Sequence, residues 1–196
     1  AKPYEQKKSF GTLLSKIAYA QVKKPYFDAP QSTEPEKLQI TLETFQCVSF
    51  IETSLALARC IWGNNETSAC FTREVAQSRY RDGELDGYAS RLHYFFDWLS
   101  NNADRNRLKD ISKSLGAKPF QRKNKAPLFS IMTNKPNRYP ALLDPSVFTH
   151  IETIENSLNQ RIPYVLRGPQ IPRALHKLKN GDIVAVVTIK RGLLIS

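Results

Sequence analysis

Cys47 stands at a position where the sequence predicts the start of a helix. Thr44 lies just upstream as a candidate N-cap, and apolar residues then recur at helical spacing, at Val48, Ile51 and Leu55. A thiol at a helix N-terminus meets the positive end of the macrodipole and backbone N–H groups that lack intrahelical partners. Both favour the thiolate, which is the nucleophilic form. The pattern predicts nucleophilic catalysis; the alternative is a buried structural cysteine, a common fate of free thiols.

A cysteine nucleophile needs a base beside it, and the sequence holds only three histidines. His93 lies in an aromatic run, His150 leads a helical apolar stripe and His176 stands among lysines. We expect these three to line a pocket, cap a helix and face solvent, respectively. None of them is therefore predicted to be the catalytic base.

The other two cysteines, Cys60 and Cys70, leave two interpretations open. They could form a disulfide or remain separate core thiols, because sequence spacing alone does not decide between them. No His/Cys cluster has the spacing of a zinc site, so we predict no metal and no cofactor.

The 196 residues are enough for a single domain over 1–196 with a loose segment at 1–9, and they carry a net charge of +11. Cations concentrate between Arg105 and Lys125, where Asp110 is the only acidic residue. This basic run could bind nucleic acid, be an ordinary solvated face, or attract anionic polymers of a bacterial envelope. No nucleic-acid motif accompanies it, so we expect a general attraction surface. No apolar run has membrane-spanning length.

The order of predicted elements indicates an α+β fold, with helices first and strands later. Helices are predicted at 10–22, from Cys47 to about residue 63, at 90–102 and at 145–159, the last capped by Asp144. Strands are predicted at 38–42, 128–133, 162–166 and 183–189, and the last of these reads as a buried strand. A short helix or turn is expected at 173–178.

The sequence around Cys47 resembles the N-acetylmuramoyl-L-alanine amidase-like branch of the NlpC-type cysteine hydrolases. The run Phe-Gln-Cys-Val-Ser-Phe-Ile-Glu at 45–52 carries the resemblance, together with blocks at 79–98, 151–164 and 181–185 in the same order. Gln46 stands where the family usually has Asp, and Ser49 where it has Thr. The first change removes a carboxylate beside the proposed nucleophile.

The resemblance implies a papain-like core in which the nucleophile helix packs on an antiparallel sheet. It also implies that the catalytic His would follow directly after Ser196, on a strand beyond the Gly-Asp-Ile segment. The chain is therefore expected to be part of a longer protein, with its sheet incomplete. Cys47 would be the nucleophile, and Ser90, Arg91 and Tyr94 would contact the substrate. A structural ion pair, for instance with Asp97, is the alternative for that arginine.

By the same resemblance, the protein is expected to be a cysteine amidase that cleaves the bond between N-acetylmuramic acid and L-alanine in peptidoglycan fragments. It would act in the periplasm or elsewhere in the cell envelope of a bacterium. The alternative function is a non-catalytic basic module that binds envelope polymers or nucleic acid on the same fold. The residue that follows Ser196 would distinguish the two hypotheses.

Overall fold

The computed structural model describes residues 9–27, 35–121 and 127–186, and the backbone of 188–190 and 193–195. The predicted loose segment at 1–9 lies outside the described residues except for Ser9. The last three cations of the basic run also lie outside the described residues, namely Arg122, Lys123 and Lys125.

Helices dominate the described part of the chain. The longer ones are α1 (Phe10–Gln21), α2 (Cys47–Trp62), α3 (Ser68–Arg79), α5 (Phe95–Asp104) and α7 (Pro145–Gln160), and the short ones are α4 (Gly87–Ser90), α6 (Ile131–Asn134) and α8 (Gln170–Leu175). Within the described residues, none of these helices is both long and apolar enough to cross a membrane.

Two short antiparallel strand pairs complete the α+β architecture. Strand β1 (Lys118–Pro119) pairs with β2 (Tyr164–Val165), and β3 (Thr188–Lys190) pairs with β4 (Leu193–Ile195). The predicted α+β class is confirmed at this level, although β1 and β2 lie between helices in the chain order.

The packing of α1 and α2 forms the core that carries Cys47. Both helices direct an apolar stripe inward, and Leu13, Leu14, Leu55 and Trp98 are buried together between them and α5. Burial of side chains of this size stabilises the fold by roughly 1.5–3 kcal/mol each. Helix α2 therefore has a fixed position relative to α1.

Three of the four predicted helices have close to their expected bounds, but the one at 90–102 begins later. Ser90 instead ends α4, and the chain after it is extended, because Arg91 forms an isolated bridge with Tyr80 and the Leu92 N–H donates to the Arg79 carbonyl. Helix α5 consequently starts at Phe95. Asp144 caps α7 as predicted, by accepting the Ser146 N–H.

Two predicted strands are wrong because side chains, not a partner strand, hold their backbone. Residues 36–41 have no regular structure, and the Gln39 carbonyl accepts the Arg79 guanidinium. In the segment at 128–133, the N–H groups of Leu128 and Phe129 donate to the Asn159 side chain. The end of that segment becomes helix α6.

The predicted buried strand at 183–189 is also wrong over its first part. Residues 183–186 have no strand partner in the described region, and Val184 and Val186 are 58% and 82% exposed. Pairing starts only at β3. A β-branched run predicts an extended chain, but a buried strand also needs a neighbour on each side.

Candidate active site around Cys47

Cys47 is the first residue of the 16-residue helix α2, and its side chain is exposed. The N-cap is Gln46 and not Thr44, so the predicted helix start is confirmed but the predicted cap is wrong. Ser49 completes the turn by accepting the Gln46 N–H at 2.9 Å. The first turn of a helix leaves its N–H groups without intrahelical acceptors, so these donors surround the thiol.

The chain that enters α2 is fixed by a short backbone ladder. The Phe45 N–H donates to the Pro25 carbonyl at 3.1 Å, and the Phe27 N–H donates back to the Phe45 carbonyl at 3.2 Å. Phe45 is buried and meets Phe50 edge to face, with ring centroids 5.7 Å apart. These contacts hold the backbone on both sides of Cys47.

Cys47 lines a cavity of about 510 Å³ between α1, α2 and the segment at 181–184. The walls are mostly apolar, with contributions from Leu14, Phe45, Phe50 and Ile183. This size suits part of a small substrate, since ligand pockets run from about 300 to 1,000 Å³. The cavity gives the exposed thiol a concave surface against which a substrate can be held.

Two glycines bring the third wall of this cavity against α1. A Cβ on Gly11 would lie 1.9 Å from the Asn180 carbonyl oxygen, and one on Gly181 would lie 2.4 Å from the Gly11 Cα. Gly181 also has a φ of +90°, which disfavours other residues. The Gly-Asp-Ile segment of the sequence therefore meets α1 backbone to backbone.

The cavity also includes residues that the sequence analysis did not single out, namely Lys24 and Tyr26, which follow α1. Tyr26 is 72% exposed and forms a parallel bridge with Phe45. The signal in the sequence was the Pro25-Tyr26 pair, which corresponds to a segment of the resembled family.

A disulfide between Cys60 and Cys70 joins the far end of α2 to α3, with the two Cα atoms 6.0 Å apart. This answers the question that the sequence left open. Cys47 is the free cysteine of the chain. A second link between the two helices is the buried ion pair of Arg79 with Glu52, at 2.7 Å. Glu52 thus serves as an internal partner.

The three predicted substrate contacts do not line the Cys47 cavity. The Ser90 hydroxyl accepts the Asp86 N–H and donates to the Gly87 carbonyl. The Arg91 guanidinium pairs with buried Glu36 at 3.3 Å. The alternative of a structural ion pair for Arg91 is thus confirmed, but its partner is Glu36 and not Asp97, which pairs with Arg81. Substrate contact by Ser90 and Arg91 stays a prediction.

Tyr94 belongs to a separate buried network. Its hydroxyl donates to the Glu155 carboxylate and accepts the Ile131 N–H at 3.1 Å. Burial and the neighbouring carboxylate both raise the pKa of this phenol far above its ordinary value. The hydroxyl is therefore a permanent hydrogen-bond donor, and a role in binding substrate stays a prediction for Tyr94 as well.

None of the three histidines lines the cavity. The His93 ring stacks on Tyr88 with centroids 4.3 Å apart, and its Nε2 lies 2.9 Å from the Tyr88 carbonyl oxygen. Burial lowers the pKa of His93 to about 3, so the ring is neutral at physiological pH. His150 and His176 are exposed.

The basic run is less uniform than its composition predicted. Arg107 pairs with Glu74 at 2.6 Å, and Arg105 donates to the Gln77 carbonyl at 2.6 Å. These two side chains are half-buried and join the loop after α5 to α3. Lys109, Lys113 and Lys118 are exposed, as an attraction surface requires.

The described residues contain no group of three or more His, Cys, Asp or Glu side chains arranged to hold a metal ion.

The overall structure is similar to solved structures from Bacteroides species. Two crystal structures of an N-acetylmuramoyl-L-alanine amidase from Bacteroides uniformis superimpose with TM-scores of 0.79 and 0.78 at 26% and 27% identity. They cover 95% of this chain and 78% and 77% of theirs. A Bacteroides fragilis protein provisionally named a xylanase matches with a TM-score of 0.66 at 28% identity, over 76% of this chain and 63% of its own.

No curated protein sequence matches the chain. A family profile described as AmiA-like, N-acetylmuramoyl-L-alanine amidase-like, matches residues 16–196. This match begins within α1 and includes the Cys47 helix and most of the residues that line the cavity. The chain therefore belongs to the N-acetylmuramoyl-L-alanine amidase-like family.

Proposed function

We propose that this protein is a cysteine amidase that hydrolyses the bond between N-acetylmuramic acid and L-alanine in peptidoglycan fragments. The observation that carries the proposal is the exposed, free Cys47 at the start of α2, on the wall of a cavity. Family membership supports the reaction class and the substrate. The order of a nucleophile helix followed by strands is compatible with a papain-like core of the NlpC type.

The reaction follows from a sulfur nucleophile at this position. The Cys47 sulfur attacks the carbonyl carbon of the amide, and the C–N bond breaks as the departing nitrogen takes up a proton. The acyl group remains on sulfur as a thioester, which water then hydrolyses to the free acid and thiol. Backbone N–H groups in the first turn of α2 stabilise the oxyanion that forms during attack.

The disulfide supports a location outside the reducing cytoplasm. Disulfides such as Cys60–Cys70 persist mainly in oxidising compartments, including the bacterial periplasm. We propose that the protein works in the periplasm or elsewhere in the cell envelope, where its substrate is found.

A glycosidase, as the name of the Bacteroides fragilis protein suggests, fits this cavity less well. Glycoside hydrolysis generally uses two carboxyl groups that flank the scissile bond. Among the described lining residues the only carboxylate is that of Asp182, and it accepts the Lys179 N–H at 2.8 Å.

A non-catalytic basic module on the same fold remains the competing hypothesis, favoured by the net charge of +11. It predicts that Cys47 can be replaced without loss of function. The two hypotheses therefore differ in one measurable respect.

The test is hydrolysis of N-acetylmuramoyl-L-alanyl peptides by the full-length protein and by its Cys47→Ala variant, followed by mass spectrometry of the products. We expect the variant to lose at least about 10³-fold in kcat, because a covalent nucleophile has no substitute in this mechanism. The thermal midpoint should be nearly unchanged, since the Cys47 side chain is exposed. Retained turnover would contradict the proposal.

Labelling provides an independent check on the same residue. Iodoacetamide should modify Cys47 and leave Cys60 and Cys70 untouched, because those two are joined in a disulfide and buried. Prior binding of a muramoyl-peptide should protect Cys47. Labelling that the substrate does not slow would place the binding site elsewhere.

A further inference from the structure

A basic groove lies on the ribbon of β1 and β2, away from the Cys47 cavity. It has a volume of about 510 Å³, and its polar lining residues are Lys118, Gln121, Arg167 and Gln170. It shares no lining residue with the Cys47 cavity. The ribbon packs on a different hydrophobic cluster, around Phe120 and Leu158, so the two sites are structurally separate.

The polar groups of this groove present mainly hydrogen-bond donors. Lys118 and Arg167 are exposed cations, and the described lining contains no carboxylate. The side-chain oxygen of Gln170 already accepts the backbone N–H of Arg167 at 3.0 Å, so the NH₂ group is the part of this side chain that remains as a donor. A ligand that complements these groups must supply acceptors and negative charge.

Aromatic rings, not carboxylates, support the cations of the ribbon. The Arg167 guanidinium lies over the Phe120 ring at 4.7 Å, and Lys113 Nζ lies over the Tyr164 ring at 4.4 Å. In the described ion pairs six other arginines have carboxylate partners, whereas Lys113, Lys118 and Arg167 take part in none. The Arg167 guanidinium is therefore held against a ring, and neither it nor Lys118 is neutralised by a carboxylate in the described ion pairs.

The lining of the groove favours one kind of anionic partner. The described lining contains no aromatic ring, so the groove is less suited to stacking bases, which is how proteins bind single-stranded nucleic acid. A guanidinium fixed in one orientation is suited to a carboxylate, which it can contact through two parallel hydrogen bonds.

We propose that this groove binds the carboxylate-bearing peptide side chains of polymeric peptidoglycan and holds the enzyme on its substrate. The choice of polymer rests on the proposed amidase function, whereas the groove and its charge do not. The groove adds affinity for the polymer without taking part in bond cleavage. Small soluble muropeptides should consequently be cleaved equally well without it.

The test is co-sedimentation with purified peptidoglycan sacculi, with all variants made on Cys47→Ala so that the polymer stays intact. The double variant Lys118→Glu with Arg167→Glu should bind at least fivefold more weakly at low salt. A matched control, Arg73→Glu with Lys135→Glu, changes the net charge equally at exposed positions outside the groove. It should change binding by less than twofold.

Two further arms identify the ligand chemistry. Sacculi whose carboxylates have been converted to amides should lose binding to the same extent as the groove variant. Polyphosphate should displace the protein from sacculi no better than other polyanions of the same total charge. Three results would each overturn the proposal. These are an equal loss of sacculus binding in the groove variant and its control, unchanged binding to amidated sacculi, and preferential binding of polyphosphate.

Folding and catalysis are checked separately. Circular dichroism and the thermal midpoint test whether the charge-reversed variant folds, and Lys118→Gln with Arg167→Gln replaces it if it does not. On a background that retains Cys47, the groove variant should hydrolyse a soluble muramoyl-peptide with unchanged kcat and KM. Loss of that activity in the groove variant would contradict a docking role that is separate from catalysis. The activity of Cys47→Ala tests only the amidase proposal and does not bear on the groove.

Discussion

The start of α2 and the block at 90–94 differ in where their side chains go, although the family resemblance singled out both. At the start of α2 the backbone is tied down and the Cys47 side chain is left exposed on a cavity. In the block at 90–94 the polar side chains of Arg91 and Tyr94 are occupied by Glu36 and Glu155. A sequence motif can thus single out residues that make internal contacts as readily as residues that are free to contact a substrate.

The largest expected effect concerns the anchoring of the nucleophile helix. Replacing Cys60 and Cys70 with Ala should lower the free energy of unfolding by about 3 kcal/mol, because the denatured chain regains the entropy of an open loop. The kcat of the amidase should change little, since the disulfide lies at the opposite end of α2 from Cys47. Urea titration and kinetics on the same preparation measure both. A large loss of kcat without loss of stability would mean that the disulfide positions the thiol.

Tyr94→Phe tests the other side of the comparison. Removing the hydroxyl leaves the Ile131 N–H without its acceptor and removes one of several donors to the Glu155 carboxylate, which should cost about 1–3 kcal/mol of stability. If Tyr94 is internal only, KM for a muramoyl-peptide stays unchanged. Phe129→Leu alters the ring that packs on Tyr94 and is a control for packing alone. A raised KM in a fully stable Tyr94→Phe variant would restore the predicted substrate contact.

His93, in the block at 90–94, should make the stability of the protein depend on pH. Its pKa is about 3 in the folded protein and near 6.5 in the unfolded chain, so below pH 6.5 the unfolded state binds the extra proton. Stability should therefore fall as the pH drops from 6.5 towards 3, by up to about 1.4 kcal/mol per pH unit. His93→Gln should flatten this part of the stability profile, while His150→Gln should leave it intact. An unchanged slope in His93→Gln would contradict the assignment.

The smallest effect is expected at Gln46. Gln46→Asp restores the family's usual carboxylate at the N-cap, where it should stabilise α2 by up to about 1 kcal/mol. The new negative charge beside Cys47 should also disfavour the thiolate, so alkylation at pH 7 should slow by a few fold. Ser49→Thr, the other departure from the family, keeps the hydroxyl and should change neither quantity. Faster alkylation in Gln46→Asp would show that the helix start is held differently.

The sequence predicted the parts of this structure that depend on local patterns. Periodic apolar residues defined α1, α2 and α7, and Asp144 followed by Pro145 marked the start of α7 correctly. The periodic pattern also predicted the helix start at Cys47. It did not predict the N-cap, because Gln46 is not among the residue types that are preferred at this position.

What the sequence did not predict depends on distant partners. The extended backbone at Arg91 results from pairing with Tyr80, and the segment at 36–41 is held by Arg79 and Tyr80 instead of by a strand. The cavity is built from three separate parts of the chain: α1 with the residues up to Tyr26, the start of α2, and the segment around Ile183. None of these contacts leaves a periodic signal in the residues that make it.

The contact between Gly11 and Gly181 has a consequence for how the protein folds. It joins positions about 170 residues apart, whereas α2, α3 and their disulfide lie close together in the sequence. Contacts between distant positions carry a larger entropic cost and tend to form late. We therefore expect the helical part around α2 to assemble first and the cavity beside Cys47 to close last. Pulsed hydrogen exchange during refolding should protect the amides of α2 before that of Asp182, which donates to the Lys179 carbonyl.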